Sequence, residues 1–270
     1  MQYRSIVNER NNMYKMQSRF IAEKAEGLIV LNEDTKAIRL LLNVLPKNIE
    51  KPDRPYIEDA ELALRKASES IGFPLYLLKH DADINSVSFS PDGKYIVTAS
   101  DDKAAKIWKT KTGEQVGQTM KHDKYVNSAA FSNDGKYIVT VSGYKTAKIW
   151  NAETGEQIGR TMKHDNYVNS AAFSNDGKYI LTASADSTAK IWKTETGEQV
   201  GETIKHDNSV RTAAFSNDGK YIVTACNNTA KIWNAKTGEQ IGKTMKHNEW
   251  VKSAAFSNDG KYIITTSYDN

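Results

Sequence analysis

The chain has 270 residues, 39% of them apolar and 26% charged, with a formal charge of +4 at neutral pH. That length can bury a sizeable core in one or two domains, and its supply of aromatic and β-branched residues excludes intrinsic disorder. The single cysteine, Cys226, excludes a disulfide scaffold, and a surplus of four positive charges is too small to imply a nucleic-acid partner.

The first 72 residues carry a helical pattern. The opening MQYRSIVNERNN lacks the apolar core of a secretory signal, and no apolar run approaches the ~18–20 residues that span a bilayer, so a cytoplasmic protein without a membrane contact is expected. Met13, Met16, Phe20, Ala25 and Leu28 follow helical spacing, and Asn32-Glu33-Asp34-Thr35 reads as a turn and cap. Ala37, Ile38, Leu41, Leu42 and Leu45 form a second apolar face that ends at Pro46. After a polar connection, Tyr56–Ser70 reads as a third helix with Ile57, Ala60, Leu64 and Ala67 on one side. Helix–helix packing explains these stripes; a coiled-coil or membrane surface is the alternative. The segment holds twelve basic and eleven acidic residues, so a polybasic arm is absent.

From residue 79 the chain repeats. Each of the five histidines, His80, His122, His164, His206 and His247, follows a lysine, at intervals of 42, 42, 42 and 41 residues, and Trp108, Trp150, Trp192 and Trp233 keep the same beat. Lys121–Met162 matches Lys163–Ile204 at 31 of 42 positions. Within the third unit every signal is β. Val168–Ser174 alternates, Asn175-Asp176-Gly177 suits a tight hairpin, and Tyr179–Ser184 and Thr188–Lys193 are strand-like. Thr196-Gly197-Glu198 makes another turn before a fourth strand, Gln199–Ile204. Four short strands per ~42 residues is a propeller period, and a lone four-stranded sheet must stack on neighbours to bury both faces. The units run 79–120, 121–162, 163–204 and 205–245, with a partial one at 246–270.

These residues resemble the WD-repeat family of β-propellers from about Phe73 to Asn270, through the His before strand one, the FSxDGKYI hairpin and the Trp closing strand three. The resemblance implies a mainly β chain: a propeller of four full blades and a partial fifth over 73–270, preceded by a small α-helical segment over 1–72. It also implies a buried network of His, Thr, Asp and Trp in each blade. The first blade would use His80, Thr98, Asp102 and Trp108, and the third His164, Thr182, Asp186 and Trp192. The second departs, because Tyr144 replaces the Asp beside His122 and Trp150. The fourth has Asn227 there, beside His206 and Trp233, and is one residue shorter; the last retains His247. The Gly that usually precedes the His is Lys throughout, and the Asp after the Trp is Lys or Asn. Phe73–Lys79 aligns with a fourth strand, which in such propellers commonly closes the ring, although the last unit stops after two strands. A truncated product, or an open edge that needs a partner or a second copy of the chain, follows as an expectation. Residues 17–72 resemble the linker helices that precede WD repeats in bacterial STAND-type signalling ATPases. That implies the sensor or scaffold portion of a bacterial signalling or defence protein, since no GxxxxGK[ST] loop is present to hold phosphate.

Catalytic chemistry is not expected. Histidines placed once per blade are spread around a ring and cannot converge on one metal ion, and Cys226 replaces the Ser100, Ser142, Ser184 and Ser267 of other units. No cofactor is implied, and no GxSxG or HExxH motif appears. A small-ligand-binding propeller or a propeller enzyme is the remaining alternative. A protein partner is better supported. The one–two and three–four turns barely vary between units, whereas the interblade and two–three turns, on the opposite face, do. Tyr125, Tyr167 and Trp250, with Asn127, Asn169, Arg211 and Lys252 two residues further along the strands, are the candidate partner-binding residues, because aromatic and Arg side chains favour protein interfaces.

Overall fold

The structure is a computed structural model that describes residues 21–26, 62–64, 66–67 and 76–269. Contacts divide the chain into two units, Met1–Leu77 and Leu78–Asn270. In the first, residues 21–26, 62–64 and 66–67 are helical. Ala22, Ala25, Ala63, Leu64 and Ala67 are buried, and Lys66 Nζ lies 3.0 Å from Glu26 Oε1. The expected middle helix, the stripe from Met13 to Phe20 with Leu28, and Ile57 and Ala60 lie outside the described residues.

The second unit holds eighteen strands among the described residues. The first blade comprises β1 (Ile84–Phe89), β2 (Tyr95–Ser100), β3 (Ala104–Lys109) and β4 (Gln115–Lys121). The second comprises β5 (Val126–Phe131), β6 (Tyr137–Ser142), β7 (Thr146–Asn151) and β8 (Gln157–Lys163), and the third β9 (Val168–Phe173), β10 (Tyr179–Ser184), β11 (Thr188–Lys193) and β12 (Gln199–Lys205). The fourth comprises β13 (Val210–Phe215), β14 (Tyr221–Cys226), β15 (Thr229–Asn234) and β16 (Gln240–Lys246), and the last is the hairpin β17 (Val251–Phe256) and β18 (Ile263–Ser267). Each full blade is an antiparallel sheet in sequence order, so the chain belongs to the mainly β class.

The conserved wording of the one–two turn follows from its hydrogen bonds. Ser174 Oγ donates to Asp176 Oδ1 at 2.7 Å, the amides of Lys178 and Tyr179 bond back to Asp176 Oδ1 and Ser174 Oγ, and Gly177 takes the left-handed φ of 70°. The Ser174 hydroxyl is the largest influence holding the Asp176 carboxyl below the usual carboxylate range. At the end of strand two, the Ser100, Ser142, Ser184 and Ser267 hydroxyls donate to carbonyls just before strand one, and the Cys226 thiol donates likewise to Asn208 O.

Blades stack through one recurring joint. The downstream face of the first blade (Val97, Ala99, Ile107, Met120) packs on the upstream face of the second (Val126, Ala129, Ile138, Trp150). Equivalent residues meet between the second and third blades and between the third and fourth, and Val223 and Ala225 meet Val251 and Ala254 at the last joint. At the first two joints the bulged fourth strand also bonds the next three–four turn, Gln118 N to Thr154 O and Arg160 N to Thr196 O, both at 2.8 Å. Between the third and fourth blades that contact is open. Gly201 has nothing near it, and a cavity of about 260 Å3 lies among Tyr179, Ile191, Val200 and Phe215.

Two faces lack a covering blade. On the upstream face of the first blade Val87 is 58% and Phe89 60% exposed, although their counterparts are buried (Ala129) and half-buried (Phe131). On the downstream face of the last hairpin Ile264 is 67% exposed, although Val97, Val139, Leu181 and Val223 at the same register are buried. The expected lead-in strand is not seen among the described residues: 76–79 have no strand, and residues 73–75 lie outside them. Physically, such a strand would have to pair with a third strand in the last blade, and among the described residues β18 pairs with β17 alone.

Candidate functional site

The four-residue networks differ from blade to blade in a way the sequence explains. In the third, His164 Nδ1 is 2.8 Å from Asp186 Oδ2, Nε2 is 2.7 Å from Thr182 Oγ1, and Trp192 Nε1 donates to the same hydroxyl at 2.8 Å. A carboxylate only accepts, so Nδ1 carries the proton and Nε2 of the neutral ring accepts from Thr182. The first blade repeats this with His80, Asp102, Thr98 and Trp108, at 2.8, 2.6 and 2.8 Å. Burial pushes the Asp186 carboxyl up, but bonds from Thr188, the Asp165 amide and His164 outweigh it and lower it to about 2. Asp102 is likewise raised by burial and lowered further by His80 and the Asp81 amide, ending below the usual range.

In the second blade Tyr144 supplies no carboxylate. Among the described residues the His122 ring bonds Thr140 alone, at 2.7 Å, whose hydroxyl also accepts from Trp150, and burial followed by Lys148 lowers its pKa to about 3. In the fourth, Trp233 Nε1 still reaches Thr224 Oγ1 at 2.8 Å, but neither buried ring nitrogen of His206 has a partner among the described residues. Burial, then Lys231, lowers the His206 pKa to about 4. The shortened turn has redirected its bonds: Asn227, at a φ of 52°, accepts from the Val251 amide at 2.7 Å across the joint. In the last hairpin, His247 Nε2 is 2.9 Å from Thr265 Oγ1 and Nδ1 is 3.4 Å from Asp269. Sequence reasoning missed Thr140, Thr224, Thr265 and Asp269. The signal was there, because Thr140 and Thr265 follow their His by the same 18 residues as Thr98, and Asp269 follows His247 by 22.

Up-and-down blades put the interblade and two–three turns on one end of the sheets. Bonds join these turns within a blade, from Gly143 N to Tyr125 O, Ala185 N to Tyr167 O and Tyr268 N to Trp250 O, at 2.8, 2.8 and 3.0 Å. Tyr125, Tyr167 and Trp250 are exposed there. A Cβ on Gly143 would lie 1.7 Å from the Tyr125 ring, so this glycine makes room for it. Asn169, Arg211 and Trp250 line one cavity of about 530 Å3, together with Asn208, Ser209, Thr212, Asn227 and Val251. Arg211 is exposed and has no ion pair among the described residues. Asn169 already donates to Val210 O at 2.8 Å and Ser209 Oγ at 3.2 Å, and Asn85 makes the matching bond to Val126 O. Asn127 is exposed and makes no such bond among the described residues. Lys252 Nζ sits 3.9 Å over the Tyr268 ring. Tyr125, Asn127, Tyr167 and Lys252 do not line that cavity.

Stacked antiparallel blades with a His–Thr–Trp core define a repeat propeller. A family model described as WD domain, G-beta repeat matches residues 72–109, 113–151, 155–193, 197–234 and 238–270, more than half of the chain. The chain belongs to the WD40 repeat family. No curated protein matches it. WD40 propellers are generally protein-interaction scaffolds and typically non-catalytic. Among the described residues no group of three His, Cys, Asp or Glu could hold a metal, and no helix is long and apolar enough to cross a membrane.

Proposed function

We propose that this chain captures a protein partner through the end of the propeller that carries the interblade and two–three turns. The observation that carries this reading is the cavity of about 530 Å3 where Asn169, Arg211 and Trp250 converge, flanked by the exposed Tyr167. An unpaired guanidinium beside an exposed indole suits a partner that presents an acidic or carbonyl-rich loop. Tyr125, Asn127 and Lys252 extend the contact on either side. The helical segment 1–72 acts as an adaptor for the propeller over 73–270, and the resemblance of 17–72 to STAND linkers supports a sensor or scaffold role in a bacterial signalling or defence protein in the cytoplasm. Self-association through the blade edge is part of the same reading, in which the side of β18 that is unpaired among the described residues takes a strand of a second copy.

Replacing Tyr125, Tyr167 and Trp250 together with Ala tests the reading. Proteins that the wild-type chain retains from its source cell should be lost, with an unchanged circular dichroism melt. Retention of the same proteins at the same yield would contradict it.

A further inference from the structure

The joints between full blades share one design, and the joint between the third and fourth departs from it. A Cβ on Gly155 would lie 2.3 Å from Gln118 O, and one on Gly197 would lie 2.2 Å from Arg160 O. At the first two joints the three–four turn therefore presses on the bulge of the preceding blade. From Gly238 the matching carbonyl, Glu202 O, is 3.8 Å away. The turn of the fourth blade has drawn back, and the cavity of about 260 Å3 opens behind it.

The lining of this cavity suits a flat apolar molecule. Tyr179 and Phe215 supply two rings, and Ile191, Val200 and Ala235 supply aliphatic walls. Gly201 and Gly219 supply bare backbone, with nothing within 4 Å of where a Cβ would stand. An apolar cavity of about 150 Å3 admits benzene, whereas a water needs several polar partners to settle. The larger volume here has room for two fused rings, and aromatic walls favour a ring between them. Among the lining residues Lys236 alone is charged, and it is exposed with no ion pair among the described residues. The same position holds Glu153 and Glu195 at the two close joints, so the sign of the charge reverses where the cavity opens.

We propose that this cavity binds a small aromatic carboxylate, its rings against Tyr179 and Phe215 and its carboxylate on Lys236. Gly219 and Lys236 belong to the one–two and three–four turns, so the site lies at the end of the blades opposite the partner surface and does not depend on it.

Isothermal titration calorimetry of the full chain with naphthoate, and with its neutral amide naphthamide, tests the proposal. The wild type should bind naphthoate saturably at one site, about tenfold more tightly than naphthamide, because an ammonium–carboxylate hydrogen bond is stronger than a neutral one. Lys236→Glu installs the residue of the close joints and should erase that preference while leaving naphthamide affinity unchanged. Val200→Phe should fill the cavity and abolish binding of both probes; Lys236→Glu needs no repacking, so the charge test stands even if Val200→Phe fails to fold. Absence of saturable binding by either probe overturns the site, as does binding that survives in folded Val200→Phe. Equal affinity for the two probes, or a preference for naphthoate that survives Lys236→Glu, overturns the assignment of a carboxylate ligand.

Discussion

Thr182 is fully buried and serves two side chains, His164 and Trp192, beside the Lys190 carbonyl, whereas Thr224 in the fourth blade serves one side chain, Trp233, beside the Lys231 carbonyl. Removing a hydroxyl strands every buried group that depended on it, at about 1–3 kcal/mol each. Thr182→Val should therefore destabilise the fold more than Thr224→Val, by about 1–2 kcal/mol in urea denaturation. The carboxylate-free histidines set an acid dependence. His122 and His206 have folded values of about 3 and about 4, against an unfolded value near 6.5. Both values are depressed, so below pH 6.5 the unfolded chain binds more protons and stability falls as pH drops. The slope is up to about 1.4 kcal/mol per pH unit for each histidine, and it vanishes above pH 6.5. Tyr144→Asp restores a carboxylate opposite His122 and should move the acid-unfolding midpoint to lower pH, read by circular dichroism. The repeat beat made His, Trp and two of the Asp residues legible from sequence. The orphaned ring of His206 was not, because it depends on where the shortened turn sends the Asn227 carbonyl.

At the scale of the strand, the bulge in the fourth strand is the part that locks one blade to the next. A Cβ on Gly159, at a φ of 60°, would lie 2.4 Å from the Thr196 backbone, whereas one on Gly201, at a φ of 68°, would meet nothing within 4 Å. Both positions carry the left-handed strain of about 1 kcal/mol for a non-glycine residue, but only Gly159 adds a clash with backbone. Gly159→Ala should thus lower the thermal midpoint clearly more than Gly201→Ala. Equal shifts would mean that the second joint does not depend on this approach. Strand positions and turn chemistry were readable from alternation and the SNDGK spacing. The difference between joints was not, because QIGRT and QVGET read alike and the opening at Gly201 arises from how the whole fourth blade sits on the third.

At the scale of the molecule, four blades and a hairpin share one repeat, yet exposure is uneven because burial is a property of neighbours. Phe89 and Phe131 occupy the same register, and among the described residues only the second has a blade upstream of it. Sequence placed the hairpin of the last unit; it did not show which of its side chains stand exposed. The loop-bearing end was legible as the variable end of the repeats, but the convergence of Asn169, Arg211 and Trp250 needed three blades placed side by side. The loop-bearing end is the proposed seat of the partner. Hydrogen–deuterium exchange of the chain with and without its captured partner measures that directly. Amides around Tyr125, Tyr167, Arg211 and Trp250 should be protected on binding, with the NDGK and TGEQ turns unchanged; protection confined to those turns, at the opposite end, would contradict it.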